Sequence, residues 1–473
     1  VMAEGGINAA LNTKDENDSP EEHFTDTIKA ACGLADPNAV WGMTQAAPEL
    51  VHWLLKLGVK FNMSGYDDVD LRNFGGQKKK RTAFAQSDTG KQIMTAMIDA
   101  VRRKEASGMV ERFSHHSFLT LRLCGNICCG CVIRDEYSQE TVELPGDAVI
   151  VATGGMHGLF GNTTGSLSNT GEVTAELFRL GVPLANGEMI QYHPTTVKCG
   201  GKRMLISEAA RGEGGRLFAM KDGKQWYFME EKYPELGNLM PRDITAREIW
   251  KVSHESEVFL DMTEISEEII SNKLSGLADD CMTYLHKDIR KEPVSVLPGI
   301  HYFMGGILVD EQHRTPIQNL YAAGECCAQY HGANRLGGNS LLGALYGGRV
   351  AAKSACEQAD VVDLSCATQI DFPPASQISE IKQLNKVMQE TMCVVRNENT
   401  LLNGIQTVQA LTGNLPLLGM AVLKSALARK ESRGAHWRED YPKSNDDDYL
   451  KTTVARFDGK QIQISFVPVP ERR

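Results

Sequence analysis

The chain has 473 residues, 23% of them charged and 42% apolar, which are ordinary globular proportions and set intrinsic disorder aside. The length suits two or three domains, and a formal net charge of −10 sets nucleic acid aside as a partner. No window holds the roughly 18 uninterrupted apolar residues of a membrane helix, and no basic region followed by an apolar stretch marks an export signal, so any membrane link must run through a partner.

The chain opens on VMAEGGINAAL, where Gly5 and Gly6 lack the Cβ atoms that would hold a backbone away from a planar ligand or a phosphate. Lys78, Lys79, Lys80 and Arg81 form a basic run that reads as a solvated loop. FLTLRL and CCGCVIRD are strand-like runs joined by a Gly-Asn turn, so Cys124, Cys128, Cys129 and Cys131 are expected to be strand thiols. Their spacing fits no zinc template, no metal site is expected, and the many unpaired-looking cysteines suggest a reducing compartment.

ELPGDAVIVATGG, residues 143 to 155, reads as a turn entering a strand buried on both faces, the kind that builds an α/β sheet with a ligand at its carboxyl end. TPIQNLYAAGE, residues 315 to 325, repeats the pattern. Further on, GGNSLLGALYGGRVAAKSA has helical spacing, with its amino end suited to face a cofactor. The polar, loop-rich stretch from Asn186 to Ile300 reads as an inserted domain. Ile378, Ile381, Leu384, Met388 and Met392 then recur at steps of three and four, an amphipathic helix. The helical pattern continues through Val408, Leu411 and Ala421 to Ala428, interrupted at Gly413 and Pro416. The tail after Tyr441 carries an acidic run and ends in the strand-like QIQISFVPV.

QYHPTT, ISEAARGEGGRLF, PRDITARE, HYFMGGI and HGANRLGGNSLL place charged and tautomeric side chains among glycines. Each alone is weak, because a histidine or arginine beside glycine is more often structural than catalytic. In this order, and joined to AEGGINAAL, ATGG, AAGE and ESRGAHWREDYP, they are specific. Along essentially its whole length the chain resembles the flavoprotein subunit of succinate dehydrogenase and fumarate reductase.

The resemblance implies an α/β fold: a Rossmann-like FAD-binding domain in two segments (1–185 and 302–362), an inserted α+β capping domain (186–301), a helical domain (372–440) and a small tail (441–473). The family's first βαβ unit, with its G-x-G-x-x-G, is expected to lie ahead of residue 1, as is the histidine that carries covalent flavin. For FAD the matching positions are Ala3, Gly5, Gly6, Thr153, Gly154, Glu172 near the ribose, Glu325, and Ser340 with Leu341, whose backbone N–H groups would face the ring.

A four-carbon dicarboxylate needs donors at both ends of a dry pocket. The resemblance gives one carboxylate to His301 and Arg335 and the other to His193 and Ser207. It makes Arg242 the proton donor and acceptor, with Glu208 and Arg211 as a relay to solvent; the plainer reading of that pair is an intrahelical ion pair. Arginine normally stays charged, at a pKa of roughly 12.5 to 13.8, yet a carbanion beside a carboxylate is more basic still, so a guanidinium can protonate it. No cluster-binding cysteine pattern is present, so the implied iron-sulfur partner is a separate subunit leading to membrane quinone-binding subunits. The implied location is the cytoplasm, or the cytoplasmic face of the inner membrane as a peripheral subunit. The alternatives are an L-aspartate oxidase-like enzyme, against which HYFMGGI and REDYP speak, and a flavin-free scaffold, against which His193, Arg242, His301 and Arg335 speak.

Overall fold

Two short apolar strands, Val149–Val151 and Leu320–Ala322, pair in parallel with Val149 opposite Leu320 and Val151 opposite Ala322. That register sets the two glycine-bearing turns, ATGG and AAGE, side by side at the carboxyl ends, where an α/β sheet presents ligands. Burial on both faces does not hold. Val151 is buried, but Ile150 is 41% exposed, because its face of the sheet is left uncovered by the described residues. The computed structural model describes residues 5–65, 68–359, 370, 372 and 377–473.

The helix Asn339–Gln358 follows Gly338, which sits at φ +84°. A Cβ there would lie 2.1 Å from Asn8 Oδ1, so only glycine admits the contact. Asn8 donates through Nδ2 to Gly337 O and to Asn339 Oδ1, both at 2.7 Å, and His23 Nε2 lies 2.9 Å from the same Asn339 oxygen. These buried bonds fasten the start of the helix to the opening segment.

Lys78 and Lys80 of the basic run are exposed, as in a solvated loop, and Lys79 is half-buried, but Arg81 departs from that reading. Arg81 is fully buried between Asp18, at 2.8 Å, and Asp26, at 3.0 Å. Lys80 donates its backbone N–H to Glu16, and Lys79 faces Glu22. The acidic residues around the start of the helix Pro20–Ala30 supply the counter-charges, a long-range pairing that a charge count along the chain does not reveal.

Residues 204 to 296, with Phe74, close a core around Leu217, Ile249, Val258 and Leu260. The strand Ile190–Cys199 lies between Lys202–Leu205 and Leu297–Phe303, with Gly299 opposite His193 and Ile300 opposite Tyr192. An irregularity in register falls between Ile300 and Tyr302. It re-aims the side chain there, as bulges do beside active sites, and the residue concerned is His301.

Helices Ile378–Thr391, Glu398–Val408 and Asn414–Ala428 follow the expected periodicity and bury Leu384, Met388, Leu401 and Leu418. Gly413 and Pro416 are a beginning rather than an interruption: Gly413 precedes the last helix and Pro416 sits in its first turn, where no N–H is needed. The cysteine-rich run forms the hairpin of His116–Cys124 with Ile127–Asp135. Cys128, Cys129 and Cys131 are free thiols there, but Cys124 is in a disulfide. Among the described residues no helix is long and apolar enough to cross a membrane.

Arg429 ties three distant segments together. Fully buried, it reaches Glu188 at 2.7 Å, Glu431 at 2.8 Å and Thr453 Oγ1 at 2.7 Å. Removing one member of such a group leaves uncompensated charge in the interior. Arg429→Met is therefore expected to lower the unfolding free energy by about 3 to 5 kcal/mol, measured by urea denaturation.

Candidate active site

A cavity of about 630 Å³ is walled by the opening glycines, the start of the helix Asn339–Gln358, Glu325, the loop 164–169 and the inserted strands. That volume suits a large organic ligand. Gly5, Gly6, Ser340, Leu341 and Glu325 line it, as do His193, Ser207, Glu208, Arg242, His301 and Arg335. Arg242 and Arg335 thus face one space, although 93 positions of chain separate them.

One half is built from backbone. Gly6 has φ +135°, and a Cβ on it would come within 2.5 Å of Ala83 O. Ser340 and Leu341 lie in the first turn of their helix, where N–H groups have no intrahelical acceptor and the dipole favours an electron-rich atom. Glu325 accepts from Phe303 N at 3.0 Å and lies 3.6 Å from His157 Nε2. This cradle of bare backbone, helix N–H groups and one carboxylate fits the flat ring and polar edge of a flavin.

Three expected cofactor positions fall elsewhere. Thr153 and Gly154 end the strand Val149–Val151 without lining the cavity; Gly154 instead packs so closely on Asn169 that a Cβ would lie 2.4 Å from Asn169 Nδ2, and Asn169 is the lining residue. Glu172 is exposed at the first turn of the helix Glu172–Arg179 and does not line the cavity. Ala3 lies outside the described residues.

The other half is cationic. His193 and His301 stand edge to face with ring centres 5.2 Å apart. Thr164 Oγ1 holds His301 Nδ1 at 2.8 Å, while His193 Nε2 is buried without a partner. Arg335 lies over the Tyr302 ring at 4.5 Å, and its Nε is likewise buried without an acceptor. Burial, reinforced by the charge of Arg242, pushes the Arg335 guanidinium down to about 9. Ser207 accepts from Ala209 N at 3.3 Å as the cap of the helix Glu208–Gly212, which leaves its O–H free to donate into the cavity.

Arg242 begins the helix Arg242–Val252 and meets Glu208 Oε2 twice, from Nε at 2.8 Å and from Nη2 at 2.6 Å. Its Nη1 donates to Gln191 Oε1 at 3.2 Å. Glu208 Oε1 accepts from Gly75 N at 3.1 Å and lies 3.6 Å from Arg211 Nη2. Burial raises the Glu208 carboxyl, but the charges of Arg242 and Arg211 outweigh it and hold the group below its ordinary value. Lys202, Arg242 and Arg335 line the cavity and Arg211 stands behind Glu208; against the carboxylates of Glu208 and Glu325 they leave two positive charges in excess, the complement of a dianion.

Sequence reading missed Gln191, Thr164, His157 and Asn169. Gln191 was within reach, because it sits two residues from His193 on one strand and so shares its face. The others lie on turns without periodicity.

Burial, followed by the charge of Arg242, holds both His193 and His301 well below the ordinary histidine value, so each imidazole is neutral near pH 7. Below about pH 6.5 the unfolded chain protonates these rings while the folded chain does not, so stability falls as pH drops through that value and is unaffected by these groups above it. His193→Gln is expected to remove about 1.4 kcal/mol per pH unit from that slope between about pH 6 and 5. Urea unfolding at stepped pH measures it, and an unchanged slope would mean the ring titrates normally in the folded protein.

A family of FAD binding domains matches residues 1–341, and the fumarate reductase flavoprotein C-terminal family matches residues 411–472. The succinate dehydrogenase flavoprotein subunit of Bacillus subtilis is 37% identical, over 100% of this chain and 91% of its own. The 8-methylmenaquinol:fumarate reductase flavoprotein subunit of Wolinella succinogenes is 31% identical, over 100% and 86%, and L-aspartate oxidase of a Nostoc species is 31% identical, over 96% and 86%. Among solved structures, E. coli quinol fumarate reductase FrdA superposes with a TM-score of 0.89 at 27% identity, covering 99% of this chain and 89% of that one. The chain belongs to the family of succinate dehydrogenase and fumarate reductase flavoprotein subunits, oxidoreductases that use FAD.

Proposed function

We propose that this chain interconverts succinate and fumarate, with Arg242 moving the proton and the electrons leaving to a separate iron-sulfur subunit. The observation that carries this reading is the convergence of Arg335, His193, His301 and Ser207 around one cavity that also holds the Arg242–Glu208 pair. His301 and Arg335 grip one carboxylate, and the planar guanidinium fork suits it. His193 and Ser207 hold the other. The neutral imidazoles donate hydrogen bonds without adding charge, and the excess positive charge balances the dianion.

FAD, when bound, takes or supplies the hydride. In the reducing direction Arg242 gives a proton to the carbon next to a carboxylate and becomes a neutral guanidine. Arg211 protonates the Glu208 carboxylate, which hands that proton on to Arg242, to which it is bonded through two nitrogens, and is a carboxylate again. Oxidation runs the same steps backward. Burial lowers the proton affinity of Arg211 and so eases release at that station. The iron-sulfur partner leads in turn to membrane quinone-binding subunits, with this chain peripheral at the cytoplasmic face of the inner membrane; flavoprotein subunits among its relatives support that assembly.

An aspartate oxidase activity is the second reading, supported by the Nostoc relative. Turnover of FAD-loaded protein with succinate, fumarate and aspartate in parallel separates the two, and turnover of aspartate alone would reject the first. Arg242→Ala is expected to leave fumarate binding, measured by calorimetry, within about threefold while turnover falls by about three orders of magnitude or more. Arg335→Ala is expected to weaken that binding by about 1.5 to 3 kcal/mol, a loss of charge-assisted hydrogen bonds.

A further inference from the structure

A second cavity, of about 400 Å³, shares Phe74 with the substrate cavity and is lined on that side by Ala209 and Gly212 of the helix that carries Glu208 and Arg211. Two ion pairs stand in its wall. Lys273 bonds both oxygens of Glu213, at 3.0 and 3.1 Å, and Lys14 lies 2.5 Å from Asp70.

Arg211 lines neither space but reaches toward both: it faces Glu208, which lines the first, and bonds Asn238, whose neighbour Leu239 lines the second. Its side chain is fully buried, Nη1 donates to Asn238 O at 2.6 Å, and Nη2 stands 3.6 Å from Glu208. Nε and Nη2 have no hydrogen-bond acceptor. Buried guanidinium donors without acceptors are met by water where polar partners and room exist, and the second cavity, one residue beyond Asn238, offers both. Glu213 caps the carboxyl end of the same short helix, two residues after Arg211, and its side chain is 14% exposed, so it touches both the cavity and the outside.

We propose that this second cavity is the proton exit of the enzyme, with Glu213 as its terminal group. The proposal rests on Arg242 being the proton donor. In the reducing direction, solvent protonates Glu213, water in the cavity carries the proton to Arg211 as Arg211 hands one to Glu208, and Glu208 restores Arg242. One proton enters for each one delivered to carbon, no electron moves along this route, and Glu213 returns to its carboxylate. Oxidation reverses every step. Asp70 is the weaker terminus because it lies on a different segment from the relay.

The test uses the full chain with FAD, assayed for fumarate reduction with an artificial electron donor. Glu213→Gln is expected to lower turnover by about tenfold with KM for fumarate unchanged, as loss of a proton-transfer group does. Acetate should restore turnover saturably, because a small carboxylate can enter beside the unpaired Lys273 and shuttle the proton. Glu213→Asp, which keeps the carboxylate, should retain most of the activity. Unchanged turnover in Glu213→Gln, or a loss that acetate leaves in place, overturns the proposal; so does acetate rescue confined to Asp70→Asn. If Arg242→Ala abolishes turnover while Glu213→Gln is neutral, only the exit is wrong, whereas an active Arg242→Ala removes the donor on which the exit depends.

Discussion

Glu208 holds a negative charge in the interior between two guanidinium groups, and the substrate cavity depends on that arrangement. Three buried arginines would repel one another and lose hydration together. The carboxylate neutralises part of that charge, fixes the Arg242 fork through two bonds and stays ionised because its neighbours outweigh its burial. The remainder is left for a ligand. Arg335 Nε, a donor that finds no acceptor inside the protein, shows where an anion is wanted.

The neutral imidazoles follow from the same field. Arg242 depresses the proton affinity of both His193 and His301 beyond what burial does. Their charge state is thereby fixed near pH 7, while the guanidinium groups carry the charge. This division suits the proposed site, in which a dianion binds and the proton moves through the guanidinium and carboxylate groups rather than the imidazoles.

Holding such a site requires a frame that does not give. The irregular register at His301, the buried amide network of Asn8 and Asn339 and the Arg429 cluster each join segments far apart in sequence. Each uses buried polar groups that tolerate few alternatives, because an unmet donor or charge inside is costly. The cavity walls are consequently set by polar contacts as much as by apolar packing.

Much of the site was legible because its chemistry is tied to local sequence. Glycines next to histidine and arginine, the helix start at GGNSLL and the three-and-four spacing after Ile378 identify elements whose conformation depends on near neighbours. Other features depended on what lies across space. Arg81 looked solvated until Asp18 and Asp26 met it. Ile150 looked buried until its face of the sheet proved uncovered. The sequence by itself determined which residues could bend, cap, donate and carry charge, since those are properties of single side chains and short windows. Only the tertiary structure decided which charges were neutralised and which donors were left unmet, because Coulomb interaction and desolvation depend on distance and burial, and neither is written along the chain.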